Sequence, residues 1–143
     1  MRCLDKTRLG NQVWREGLTL IRGGWPNHPA SKMWRGHEYQ LGVYLLAGCG
    51  VLTERSGKSY PQVVDKIVTE MKKFPDTGLP LWLGDEKFHA SHRSNLLRKV
   101  LEAEQKAKDF PTDRNIANAI YQRQWYSQFN WSDPIDLPYV WPV

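Results

Sequence analysis

Apolar residues recur at helical spacing through most of this chain, and no segment alternates as a half-buried strand does. From Asp5 to Arg22 the sequence reads DKTRLGNQVWREGLTLIR. At about 100° per residue, Arg8, Gln12, Arg15 and Thr19 stack on one narrow polar face. Leu9, Val13, Trp14, Leu18, Leu20 and Ile21 cover most of the other side, and Glu16 falls on the border beside Arg15. Gly23-Gly24 should stop this helix, with Trp25-Pro26 continuing as a turn. Asn27 or His28 then caps a second helix with Pro29 near its first position, running from about Ala30 to Leu52. Its apolar residues become nearly continuous after Tyr39, as in a central helix buried on most sides, and Gly42, Gly48 and Gly50 permit close helix contact.

Ser56-Gly57 makes a turn and Ser59 is positioned to cap a third helix, in which Val63, Val64, Ile67, Val68 and Met71 keep helical spacing until Pro75. Asp76 to Gly84 (DTGLPLWLG) reads as a loop with apolar anchors. Asp85 caps the next helix, which lines Phe88, His92, Leu96 and Val100 along one face. Thr112 or Asp113 starts a last helix through Ile116, Ile120 and Trp125. From Asp133 onward three prolines forbid a helix, so Leu137, Tyr139, Val140 and Trp141 should pack extended against the body. The expectation is an all-α fold: a compact single-domain bundle of about five helices spanning 1–143, with an extended Pro-rich tail.

Composition adds a partner class. The 143 residues include 20 Lys and Arg against 15 Asp and Glu, a net +5, and seven tryptophans. A modest cationic excess suits a polyanion, and aromatic residues among arginines suit stacking on bases. Cys3 and Cys49 lie far apart outside any CxxC pattern, which fits reduced thiols in a cytoplasmic protein without a zinc framework. The longest apolar stretch, Leu41 to Leu52, is too short to cross a bilayer.

Phosphate-loop, dinucleotide, GxSxG and HExxH signatures are absent. Glu16 is the foremost carboxylate: partial desolvation would raise its pKa while Arg15 holds it ionised, the tension that prepares a general acid or base. His89 and His92 lie three apart on a helix, as metal ligands do, but Arg93, Arg98 and Lys99 crowd the same segment and favour phosphate contact. His28 stands at a helix start, where backbone N–H groups favour an anion, with Lys32, Arg35 and His37 within two turns. Together with Arg8 and Arg15 these cations would form a basic surface carrying Trp25 and Trp34, against the plainer alternative of scattered cations around core tryptophans. Glu38 is a second carboxylate, equally explained by an ion pair with Arg35 on the helix surface.

Taken together, LDKTRLGNQVWREGL, GWPNHPASKMWRGHEYQL, LPLWLGDEKFHASHRSNLLRK and DLPYVWPV resemble the pyrimidine-dimer DNA glycosylases, the superfamily of phage endonuclease V, and most of all its bacterial branch. The resemblance implies an all-helical enzyme without cofactor or metal that binds duplex DNA as a monomer, removes a damaged pyrimidine and nicks the strand. In the family an N-terminal α-amine attacks the sugar C1′ and a glutamate of the first helix assists. Arg15-Glu16 matches the family's Arg-Glu pair, so Glu16 takes the catalytic role and Arg15 a DNA contact. Leu9 occupies the place expected for the family's histidine. The segment ahead of Glu16 is shorter than in the family, and the large Arg2 predicts that Met1 is retained. Met1 or Lys6 is then the candidate amine, with water activated by Glu16 as the other nucleophile. The rival reading is a non-catalytic DNA-binding module that recognises distorted or modified duplex.

Overall fold

The computed structural model describes residues 4–126 and 132–142, and the elements of these residues are helical throughout. The chain packs as two units: one formed by the residues up to Leu83 together with the end of the chain from Trp141, the other by Gly84–Val140.

In the first unit, Asp5 opens the chain's first rod by accepting a hydrogen bond from the Arg8 amide at 2.6 Å. Helix α1 (Lys6–Gly10), a π-helical segment (Asn11–Gly17) and α2 (Leu18–Ile21) follow without a break. The rod is therefore not uniformly α-helical as its periodicity suggested, because a π turn carries an additional residue. Leu9, Val13, Leu18 and Ile21 are buried all the same, whereas Trp14 and Leu20 are only partly covered. The rod ends at Gly23, whose φ of 78° lets its amide reach the Leu20 carbonyl and the Gly24 amide that of Thr19.

The predicted second helix is two. Helix α3 (Pro29–Trp34) stops at Gly36, whose φ is 81°, and α4 (Glu38–Ser56) starts afresh. Glu38 turns back to accept from the Gly36 amide at 3.1 Å rather than pairing with Arg35. Helix α4 buries Leu41, Leu45, Cys49 and Leu52 against the rod and α5 (Pro61–Met71), but Val43 and Tyr44 face outward, so it is open on one side. Gly17 and Gly42 set how closely these helices approach: a Cβ would lie 2.2 Å from Leu45 Cδ2 at the first and 2.4 Å from Met71 Cβ at the second. Gly50 meets nothing. Helix α5 begins after Tyr60 without a side-chain cap, so Ser59 does not fill the role expected of it, and it ends at Met71, ahead of Pro75.

The loop after α5 is anchored differently from expectation. Leu79, Leu81 and Leu83 are exposed, Leu81 completely. Pro80 is buried, and the Trp82 indole donates to the Met33 carbonyl at 3.0 Å while standing edge-on to Trp34. Tryptophan carries both a large apolar ring and an N–H that needs a partner, and this niche supplies both.

The second unit is a hairpin of α6 (Glu86–Asp109) and α7 (Asp113–Tyr126). Asp85 caps α6 as expected, accepting from the Lys87 amide, and Thr112 accepts from the Asn115 amide at the start of α7. Val100, Ala103, Ala119 and Tyr126 are buried, while Ile116 and Ile120 are exposed. The tail runs non-helically along α6, as its prolines require. The buried Ser94 and Ser91 hydroxyls accept from the Leu137 and Val140 amides, Arg98 donates to the Ile135 and Leu137 carbonyls, and Arg93 grips Asp133 with two nitrogens at 2.8 and 2.9 Å.

Candidate functional site around Glu16

Two open depressions adjoin at Glu16. The larger, about 690 Å³, is walled by Leu20, Trp25, Pro26, His28 and Ala30 as well as Glu16. The smaller, about 250 Å³, is lined by Asn11, Arg15, Glu16, Thr19 and Trp25. Glu16 and Trp25 thus border both: apolar and ring atoms dominate one side, and a cation, an amide and a hydroxyl the other. Asn11, Arg15 and Thr19 share this side because they are spaced four apart. Glu16 comes from the π-helical segment, a backbone irregularity frequent at functional sites. The carboxylate is exposed, not desolvated as its border position suggested.

Trp25 is half exposed and is the single non-glycine residue at positive φ (51°) among those described. Such backbone is strained for a bulky side chain, and the following Pro26 would ordinarily push its neighbour to φ near −120°. Three hydrogen bonds fix the turn. The His28 amide donates to the Trp25 carbonyl (2.9 Å), the Ser31 hydroxyl to that of Gly24 (3.0 Å), and the Arg35 guanidinium to that of Pro26 (3.1 Å). His28 caps α3 through Nδ1, which accepts from the Ala30 amide at 3.1 Å, and its exposed ring lies 6.3 Å from Trp25 and 6.4 Å from Trp141. The ring thereby takes the first free amide of a six-residue helix, the group an anion was expected to use.

The remaining predicted residues fall into three groups. Lys6, Arg8 and Gln12 lie on the same rod as Glu16, Arg8 pairing with Asp5 at 3.2 Å; Met1 lies outside the described residues. Lys32 is exposed on α3, whereas Arg35 is a staple of the Trp25 turn. Trp34 packs against Trp82 and Tyr44 rather than lying on a basic surface. His89, His92, Arg93, Arg98 and Lys99 belong to the second unit. Arg93 and Arg98 spend their hydrogen bonds on the tail, and Arg93 also holds Glu86. His92 contacts Phe88 and Tyr139, and Lys99 is exposed. Sequence reading missed Asn11 as a site residue and Ser31 as a staple; the four-residue spacing with Arg15 and Thr19 was a usable signal for Asn11, and nothing local signals Ser31.

Burial pushes the His92 imidazole below the ordinary histidine value of 6.5, with the nearby His89 charge adding to the effect and the hydrogen bond to the Phe88 carbonyl opposing it. The unfolded chain then takes up this proton first, so stability is lost as pH falls from about 6.5 toward the depressed folded value. The melting temperature of the full chain should decline over that range, and His92→Gln should flatten this limb. Asp133 behaves differently: Arg93 holds its carboxyl below the usual 3.8, which delays its protonation to stronger acid.

Charge is divided unevenly. Residues 1–83 carry twelve Lys and Arg against seven Asp and Glu, whereas 84–140 carry eight of each, so the net +5 belongs to the segment bearing Glu16. Among the described residues no group of His, Cys, Asp and Glu could hold a metal ion, and no helix is long and apolar enough to cross a membrane. No curated protein and no solved structure matches the chain. Residues 1–63, which contain the Arg15-Glu16 pair and every residue around it, match the family described as pyrimidine dimer DNA glycosylase.

Proposed function

We propose that this chain is a DNA base-excision glycosylase that acts on a damaged or modified pyrimidine in duplex DNA, with its chemistry at Glu16. One observation carries the reading: a carboxylate stands on the divide between an apolar depression and a polar one. An N-glycosidic bond has the same division, with a flat base on one side and a sugar-phosphate on the other. A nucleotide turned out of the stack would place its base among Leu20, Trp25 and Pro26. Its phosphate would lie toward Arg15, which leaves C1′ beside Glu16. As the base departs, positive charge builds on the sugar, and the carboxylate stabilises it. The concentration of net charge in 1–83 supplies the general attraction to the backbone.

Two nucleophiles complete the reaction. Water activated by Glu16 would leave a base-free sugar. An amine, from Met1 or from Lys6 on α1, would instead form a Schiff base with C1′ and permit β-elimination of the 3′-phosphate. The test is incubation with duplex carrying a cis-syn thymine dimer, with and without borohydride. A reduced covalent adduct identifies the amine, and peptide mapping then chooses between Met1 and Lys6. A base-free site without adduct identifies water. DNA that is bound yet unchanged across a panel of modified pyrimidines would defeat the proposal in favour of a non-catalytic binding module.

A further inference from the structure

We infer that Trp25 is a pre-set stacking platform for a base turned out of the helix, and that Ser31 and Arg35 are positioning residues that act through it. The inference rests on the reading of the Glu16 depressions as a nucleic-acid site, and goes beyond it by assigning the group that selects a flat ligand.

An exposed tryptophan in an unfavourable backbone conformation needs an explanation, since strain of this kind persists only where the surroundings over-determine it. Here three consecutive carbonyls, those of Gly24, Trp25 and Pro26, each accept a hydrogen bond from a group in α3 or at one of its two ends. Two of the donors are side chains that reach seven and nine residues back along the chain. Holding Trp25 in this way does not bury it, because about half of the residue remains exposed. Instead it sets the ring on the border of both depressions, the one position from which it can cover a base whose sugar lies at Glu16. A tryptophan on a mobile turn would lose backbone entropy on stacking, and the staples, which hold the backbone carbonyls of the turn, remove part of that loss before the ligand arrives. Every nucleobase has a π-face, so the platform rewards any flat base that leaves the stack and nothing that stays in it.

The positive φ supplies a clean test. Glycine adopts this backbone without strain and asparagine tolerates it, so Trp25→Gly and Trp25→Asn remove the ring and keep the turn. Both variants should melt no lower than the parent. The probe is a set of three duplexes at fixed salt: fully paired, carrying one extrahelical thymidine, and carrying an extrahelical abasic nucleotide. The parent should prefer the thymidine bulge over the other two. In Trp25→Gly and Trp25→Asn that preference should fall by roughly 5- to 150-fold, the span measured for single base–aromatic stacks. Affinity for paired duplex should be unchanged, and Trp25→Phe should recover most of the loss. Ser31→Ala and Arg35→Ala, with the ring present but its turn released, should give a smaller loss of the same preference, and Arg35→Lys should restore it in part. Equal bulge preference in parent and Trp25→Gly would overturn the inference, as would a parent that binds thymidine and abasic bulges alike. Neither result depends on excision, which is scored separately with Glu16→Gln, so the platform and the glycosylase reading fail independently.

Discussion

Glu16→Gln should reduce base excision by at least about 10²- to 10³-fold, the usual cost of removing one group that stabilises transition-state charge. Its affinity for the same duplex should be nearly unchanged. The side chain is exposed and makes no hydrogen bond or ion pair among the described residues, so the neutral isostere should alter stability by less than about 0.5 kcal/mol. The effect is then confined to the charge beside C1′. Single-turnover excision measured beside equilibrium binding separates the two quantities. Excision by the variant at the parental rate removes Glu16 from the mechanism. A parallel loss of binding would show instead that the carboxylate contributes to holding the DNA and not only to stabilising the developing sugar cation.

How far this site was legible in the sequence depends on which physical signal marked each part. Helix caps and stops were local and readable: His28, Asp85 and Thr112 cap with their side chains, and Gly23 and Gly57 end helices at positive φ. The Arg15-Glu16 pair was readable from adjacency and face. The break at Gly36 was not, since a lone glycine in a helical pattern is usually tolerated. What decides it is distant: Thr77 donates to the Gly36 carbonyl, and Gln40 donates to Asp76. Apolar residues in a loop usually anchor it, yet only the proline and the tryptophan of LPLWL find niches. The π-helical stretch departs from the 100° spacing of an α-helix, so a helical period in the sequence does not register it. The cations of α6 misled for a related reason. Arg93 and Arg98 read as a phosphate-binding pair, but each serves a tail about forty residues away.

The helix contact that supports the Glu16 rod makes its own large prediction, and it turns on one substitution having opposite signs within a single helix. Gly42 and Gly50 both lie in α4. Replacing a helical glycine with a side-chain-bearing residue gains about 1 kcal/mol or slightly less in propensity. At Gly50 nothing lies within reach of the new atoms, so Gly50→Ala should raise the melting temperature and Gly50→Leu should be tolerated. At Gly42 the new Cβ would sit 2.4 Å from Met71 Cβ and 2.9 Å from its sulfur. A Cβ is fixed to its backbone and cannot swing aside, so α4 and α5 must separate. That separation loosens Leu41, Leu45 and Ile67, buried residues of the same core as Leu9 and Val13 on the rod. Overpacking of this kind costs about 1–3 kcal/mol, occasionally more. Gly42→Ala should therefore be destabilising despite its propensity gain, and Gly42→Leu should cost about 3 kcal/mol. Thermal melts followed by helical circular dichroism give the comparison directly. If Gly42→Leu melts no lower than Gly50→Leu, the close approach of α4 and α5 is not what holds the rod in place. The position of Glu16 would then owe nothing to that contact.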